Sequence, residues 1–224
     1  MGFMIINQPR VFQNRVIYQN AKRAFDVALC ILSLPLSLPI MVICALAIHF
    51  DSAGPSFFVQ ERIGKGGRIF RMIKFRTMKY HFDDRQNRTY MKAYVKGDLG
   101  CNGNGKEVYK PISNDQLTRV GRILRKTSLD ELPQIFNVLK GEMSIIGPRP
   151  NVPWEVEEYH PWHHERCEVL PGITGLAQVR GRSCIGFVSL VRLDIEYIEK
   201  QSLAMDLKIM WWTFLTVFRG IGAK

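Results

Sequence analysis

A chain of 224 residues is long enough for one domain with a real hydrophobic core. Its formal net charge of +11 points to anionic partners: phosphate groups, anionic lipid or nucleic acid. Nucleic acid ranks second, because no helix-turn-helix, zinc-finger or RNA-recognition pattern is present, and five scattered cysteines without a CxxC pair exclude a disulfide framework and fit a reducing compartment.

Residues 1–21 are polar and basic, with Arg10 and Arg15, and read as a loose arm or a short surface helix. An apolar run over 24–50 follows, broken only by Asp26 and His49. As a straight helix it would be about 40 Å long, enough to span a hydrocarbon core of roughly 30 Å. Two features argue against a simple span. Pro35 and Pro39 lie mid-run, where proline removes a ladder donor and kinks a helix. Both flanks are basic: Arg10, Arg15, Lys22 and Arg23 before the run, and seven Lys/Arg against two carboxylates between Asp51 and Lys79. Positive flanks belong in the cytoplasm, so a helix that enters, breaks at the prolines and returns satisfies both facts. Ser37, two residues before Pro39, could bond a freed carbonyl one turn back. An ordinary span and a buried core helix remain the alternatives.

Residues 54–79 read as Gly/Pro turns around strands. In Ile69–Met78, period-two alternation puts Phe70, Met72, Lys74 and Arg76 on one face. Lys74 and Arg76 then point the same way, as a site or as a solvated face. Residues 80–116, rich in Gly, Asn and charge, read as a loop or insertion, with Asp83 and Asp84 merely solvated. Asn114 or Asp115 can cap a helix through Lys126. On it Arg119, Arg122 and Lys126 share a face, and Arg125 leans toward the next turn.

The stretch Thr127–Pro150, TSLDELPQIFNVLKGEMSIIGPRP, carries the chemistry. Asp130 and Glu131 sit side by side at a predicted helix start, with Ser128 and Glu131 at capping-box spacing. Leu129, Leu132, Phe136 and Leu139 recur at helical spacing and face a core, and Gly141 suits a helix stop. An isolated acid pair in a first turn ordinarily only balances helix charge. Here Arg149, stiffened by Pro148 and Pro150, follows, and Arg119, Arg122, Arg125 and Lys126 precede it. Two carboxylates about 5 Å apart repel by roughly 3 kcal/mol at an effective dielectric of about 20, or on the order of two pK units. Cations or a divalent metal would keep both ionised.

Residues 153–168 hold His160, His163, His164 and Cys167. The segment reads as a charged surface helix broken at Pro161, whose ligands would face different sides, so a metal site is rejected. Pro171–Gly175 is a tight turn whose glycines allow close backbone approach to a ligand. Residues 203–218, with Trp211, Trp212, Phe214 and Phe218, read as an interfacial amphipathic helix or a packed core helix.

The stretch 127–150 resembles the signature of the bacterial sugar transferases, the small monotopic phosphoglycosyl transferases. The resemblance continues through KRAFDVAL (22–29), GPSFFVQERIG (54–64), FRMIKFRTM (70–78), LPGITGLAQVRGR (170–182) and LDIEYI (193–198). It implies an α/β (α+β) cytosolic domain at 51–224 with an interfacial C-terminal helix, behind a re-entrant helix-break-helix at 22–50 marked by Lys22, Arg23, Ser37 and Pro39. It implies transfer of a sugar 1-phosphate from a UDP-sugar to polyprenyl phosphate at the cytoplasmic face of a bacterial inner membrane. Asp130 would be the nucleophile and Glu131 the Mg²⁺ ligand. Lys74, Arg76, Arg125, Pro148 and Arg149 would hold phosphate, and Thr174 and Gln178 would lie near substrate. The expected partners are UDP-sugar, polyprenyl phosphate and membrane lipid, not nucleic acid, with the protein a monomer or homodimer. A membrane-anchored nucleotide- or lipid-phosphate-binding protein without chemistry is the alternative.

Overall fold

A computed structural model describes residues 16–79, 85–96, 116–180 and 185–218. The arm with Arg10 and Arg15, the pair Asp83 and Asp84, and the caps Asn114 and Asp115 lie outside the described residues. Helix α1 runs from Val16 to Asp51, about 54 Å if straight, and among the described residues it is the one helix long and apolar enough to cross a membrane. Asp26, Cys30, Ser37, Met41, Cys44 and Ile48 are buried at spacings of three, four and seven, the period of one helical face. Ile31, Leu32, Leu36, Val42, Ile43, Leu46 and Phe50 are exposed.

The expected break does not interrupt the helix: α1 is continuous, with Pro35 and Pro39 inside it. The two prolines are four apart, so the donor missing at Pro39 would have addressed the carbonyl of Pro35, and both defects fall in one short stretch. Contacts at each end hold the helical backbone on either side. Ser37 does not serve a freed carbonyl. Its hydroxyl points to the Leu34 carbonyl at 3.5 Å, the limit of a hydrogen bond, while Ser33 donates to the Cys30 carbonyl at 2.8 Å.

The domain mixes helices with two small sheets. Strands β1 (Phe57–Ile63) and β2 (Ile69–Phe75) form an antiparallel hairpin, and β3 (Ser144–Ile146) pairs in parallel with β4 (Gly172–Thr174). Around them pack α2 (Arg85–Lys96), α3 (Arg119–Thr127), α4 (Ile135–Leu139), α5 (Pro153–Val156), α6 (Leu176–Arg180), α7 (Phe187–Lys200) and α8 (Leu203–Phe218). The region expected to be a loop thus contains α2, whose Val95 is buried with Phe187 and Val191. Tyr94 stacks edge-on against Phe187 and donates to the Ile185 carbonyl. Tyr90, Met91, Tyr94 and Val95 are spaced as one helical face, a pattern that the surrounding polar residues obscured.

Both limbs of α1 are tied to the domain. At the first, Lys22 pairs with Asp206 of α8 at 3.1 Å, Arg23 donates to the last carbonyls of α4, Val138 and Leu139, and Asp26 accepts from Ser144 of β3. At the second, Ser56 donates to the Ala45 carbonyl and Asp51 accepts from the Val120 amide of α3. Arg76, expected beside Lys74, closes this end instead. The strand stops at Phe75, and the buried Arg76 guanidinium donates to the carbonyls of Ser52 and Ala53 and to the Ser52 hydroxyl. These carbonyls belong to the bend just past the end of α1, where no ladder supplies donors.

The segment 153–168 is not a surface helix. It forms α5 and a 3-10 turn, Pro161–Cys167, in which His163, His164, Glu165, Arg166 and Cys167 are all buried. Its histidines serve packing: His163 lies edge-on to Trp162, Tyr159 and Phe187. In the fold, Gly172 and Gly175 of the Pro171–Gly175 turn permit close approach to the backbone of Gly147. A Cβ on Gly172 would lie 2.1 Å from the Gly147 amide nitrogen and 2.5 Å from the Thr174 carbonyl. Gly172→Ala therefore forces β3 and β4 apart and should cost about 3 kcal/mol or more in a denaturant titration. Gly66→Ala, with open space around the Cβ and only a left-handed φ of 66° against it, should cost about 1 kcal/mol. Equal losses would show that the strands yield easily.

Candidate active site

The acid pair stands on a break between helices. Helix α3 is capped by Thr118, whose side chain accepts from the Gly121 amide. It ends at Ser128, among the described residues the one non-glycine residue with positive φ. A 3-10 turn, Leu129–Gln134, follows with Pro133 inside it, and α4 continues from Ile135. The capping box expected of Ser128 and Glu131 is not formed: Ser128 is left-handed and its side chain makes no cap bond. Glu131 turns away to basic side chains instead. The apolar stripe behaves as expected. Leu129, Leu132 and Phe136 pack on the cluster of Met41, Cys44, Ile48, Phe75 and Leu124, and Leu132 and Leu139 on that of Cys30, Phe70, Met72, Ile135 and Val138. Gly141 stops α4 with φ 80°.

Asn137, a residue the pattern did not single out, joins the two halves of the site. Fully buried on α4, it accepts from the Ile73 amide at 3.1 Å and donates to the Arg71 carbonyl at 2.7 Å. It thus pairs with β2 as another strand would and fixes Lys74 against the turn that carries Glu131. Lys74 Nζ lies 2.9 Å from Glu131 Oε1, and Arg149 Nη1 lies 3.1 Å from the same oxygen. Arg125, on the last turn of α3, anchors its Nε on the Thr77 hydroxyl at 3.0 Å and faces Asp130 electrostatically.

Charge divides the two acids. Burial works against ionisation of Glu131, but Arg149 and Lys74 outweigh it and hold the carboxyl down at about 2. Asp130 goes the other way: burial and the neighbouring Glu131 charge raise it above the ordinary carboxylate range, with Lys74, Arg149 and Arg125 only partly opposing. Two carboxylates pressed together thus titrate apart, as their repulsion requires. Burial and Arg149 also bring Lys74 down to about 8.

Lys74, Arg125, Asp130, Glu131 and Arg149 are therefore gathered, and Arg76, Thr174 and Gln178 are not. Thr174 is buried on β4 against the Thr213 hydroxyl at 2.8 Å. Gln178 donates to the Ile173 carbonyl, and Pro148 supplies a carbonyl to the Gly172 amide. Arg62 was missed; it lies within electrostatic reach of Arg149 and Glu131 and donates to the Pro150 carbonyl at 3.0 Å. Its signal was the position of QER on a strand next to β2.

Known proteins are similar to this chain over most of its length. The family described as bacterial sugar transferase matches residues 17–220. A UDP-glucose:undecaprenyl-phosphate glucose-1-phosphate transferase of Caulobacter vibrioides is 40% identical over 205 residues, covering 88% of this chain and 69% of its own. The exopolysaccharide production protein ExoY of Sinorhizobium fredii is 36% identical over 88% of this chain and 85% of its own. The galactosyl transferase CpsE of Streptococcus agalactiae is 38% identical over 91% of this chain, which spans only 43% of that longer protein. The chain therefore belongs to the bacterial sugar transferase family.

Proposed function

We propose that this chain transfers a sugar 1-phosphate from a UDP-sugar to undecaprenyl (polyprenyl) phosphate, releasing UMP and leaving undecaprenyl diphosphate-sugar. The observation that carries this reading is the acid pair held among Lys74, Arg125 and Arg149. The Caulobacter relative's named reaction supports it. Asp130 is the nucleophile. One of its oxygens attacks the β-phosphorus, the bond from that phosphorus to the bridging oxygen breaks, and UMP leaves with that oxygen. An oxygen of undecaprenyl phosphate then attacks the same phosphorus, the Asp130–phosphorus bond breaks, and the carboxylate is restored. Arg149, Arg125 and Lys74 hold the phosphate oxygens as charge passes over them. Both cations on Glu131 address Oε1. That leaves Glu131 Oε2 as a hard oxygen donor of the kind Mg²⁺ takes. Glu131 would hold the ion, and its chemistry there is to neutralise diphosphate charge.

The test is UMP release from a panel of UDP-sugars with undecaprenyl phosphate, Mg²⁺ and the folded protein in detergent. UMP that depends on both substrates is the expected result. Tight nucleotide binding without UMP from any donor would replace the reaction with a binding function.

The membrane part of the proposal is that α1, helical throughout, kinks at Pro35 and Pro39 inside the bilayer and returns, with the domain on the cytoplasmic face. Both ends of α1 are tied to one domain, and Leu132 packs against the cluster of its first limb and that of its second. The outward face of α8, with Leu207, Trp211 and Phe214 exposed, suits the same interface. Single cysteines at Asn20 and Lys65, in a background without native cysteines, should both resist a membrane-impermeant thiol reagent in intact cells and label after permeabilisation. Labelling of the Asn20 variant alone from outside would mean that α1 crosses completely.

A further inference from the structure

The loop that presents Arg149 is held by its carbonyls. Pro148 O accepts from the Gly172 amide at 2.9 Å, Arg149 O from Arg166 Nη2 at 3.0 Å, Pro150 O from Arg62 Nη1 at 3.0 Å, and Asn151 O from the Ile63 amide at 2.9 Å. Pro148 and Pro150 carry no amide hydrogen, so the loop has lost two of its own donors and its carbonyls take donors from elsewhere. At the two central positions those donors are guanidiniums. Arg166 is 4% exposed. Its Nη1 also donates to Asn151 Oδ1 at 2.8 Å and to the Tyr159 hydroxyl at 2.9 Å, and Asp194 Oδ2 lies 2.6 Å from Nη2. Arg62 is steadied by Gln60 Oε1 at 2.6 Å.

We infer that Arg166 and Arg62 are positioning residues that act through Arg149. They clamp the two successive carbonyls of Arg149 and Pro150, so that the half-exposed Arg149 side chain reaches Glu131 and an incoming phosphate from a fixed backbone. Neither contributes a group to the acid pair. Asp194 keeps Arg166 ionised and oriented in a buried place where an unpaired charge is not tolerated. Lysine cannot replace either residue, because only a planar fork donates in several directions from one rigid group. The catalytic consequence rests on the transferase reading; the effect on Arg149 does not.

The test uses the full chain in detergent and reads Arg149 directly. Phenylglyoxal modification, mapped by peptide mass, reports how freely each guanidinium is presented. Arg180 is the internal control, since its side chain is 45% exposed against 46% for Arg149 and is also paired to a glutamate. In Arg166→Lys and in Arg62→Lys, Arg149 should be modified severalfold faster while Arg180 is unchanged. kcat/KM should fall about tenfold, and Arg149→Ala should cost far less in either background than in the wild type. Unchanged Arg149 labelling with fully additive losses would overturn the inference and leave both arginines as scaffold. Should Arg166→Lys fail to fold, Arg62→Lys, which breaks no ion pair among the described residues, decides the matter. A wild-type protein that releases no UMP would sink the transferase reading, and the labelling would still decide the positioning role.

Discussion

Asp130→Asn should reduce UMP release by on the order of a thousandfold or more without lowering the thermal midpoint at neutral pH. The two halves of this expectation come from one cause. Asp130 is pressed by burial and by Glu131, which raises its folded pKa above the ordinary value. A group whose pKa is raised on folding contributes stability only when protonated, and that contribution is lost as pH rises through the folded value. At neutral pH the ionised carboxylate is thus a cost to the fold, which the proposed nucleophilic role accounts for. Asparagine keeps the shape, removes the charge and relieves Glu131, so the midpoint should hold or rise while the attack on phosphorus disappears. A second measurement distinguishes the covalent step from simple charge loss. With UDP-sugar alone, the wild-type protein should gain the mass of a phosphosugar, and Asp130→Asn should not. Turnover within tenfold of wild type in the mutant would end the proposal that Asp130 is the nucleophile.

The acid pair was legible because its parts are contiguous, and Arg149 because two prolines flank it. Lys74 followed from strand alternation. Arg76 obeyed the same alternation in the sequence but not in space, since the strand ends one residue before it and the carbonyls of Ser52 and Ala53, just past α1, take up its guanidinium. Ser128 has the identity of a cap, yet the reversal between α3 and the 3-10 turn demands a left-handed residue there, and conformation overrode side-chain chemistry. Asn137, Arg62 and Arg166 act on backbone atoms 17 to 88 positions away, and no local pattern marks such a role. The same holds for Lys22, whose partner Asp206 lies 184 positions on. Read alone, Lys22 is only a basic flank; in the fold it ties the start of the apolar helix to α8.

Arg149 should set both the height and the position of the pH–rate profile. Arg149→Lys keeps the charge but loses the two-pronged donor and should lower kcat/KM tenfold to a hundredfold, about 1.5–3 kcal/mol. Arg149→Ala should cost about a hundredfold or more. The profile of kcat/KM reports the free enzyme. Its acid limb belongs to Asp130, which must be ionised to attack, so rate rises with pH through a value above the ordinary 3.8. Its alkaline limb belongs to Lys74, which must be protonated to hold Glu131 and phosphate, so rate falls as pH passes about 8. The Arg149 charge holds both groups down, favouring the Asp130 anion and disfavouring the Lys74 cation. Removing it should therefore move both limbs of the bell to higher pH together. Lost packing would lower the curve and leave its limbs in place, so an unshifted profile in Arg149→Ala would make Arg149 a residue of the scaffold rather than of the charged site.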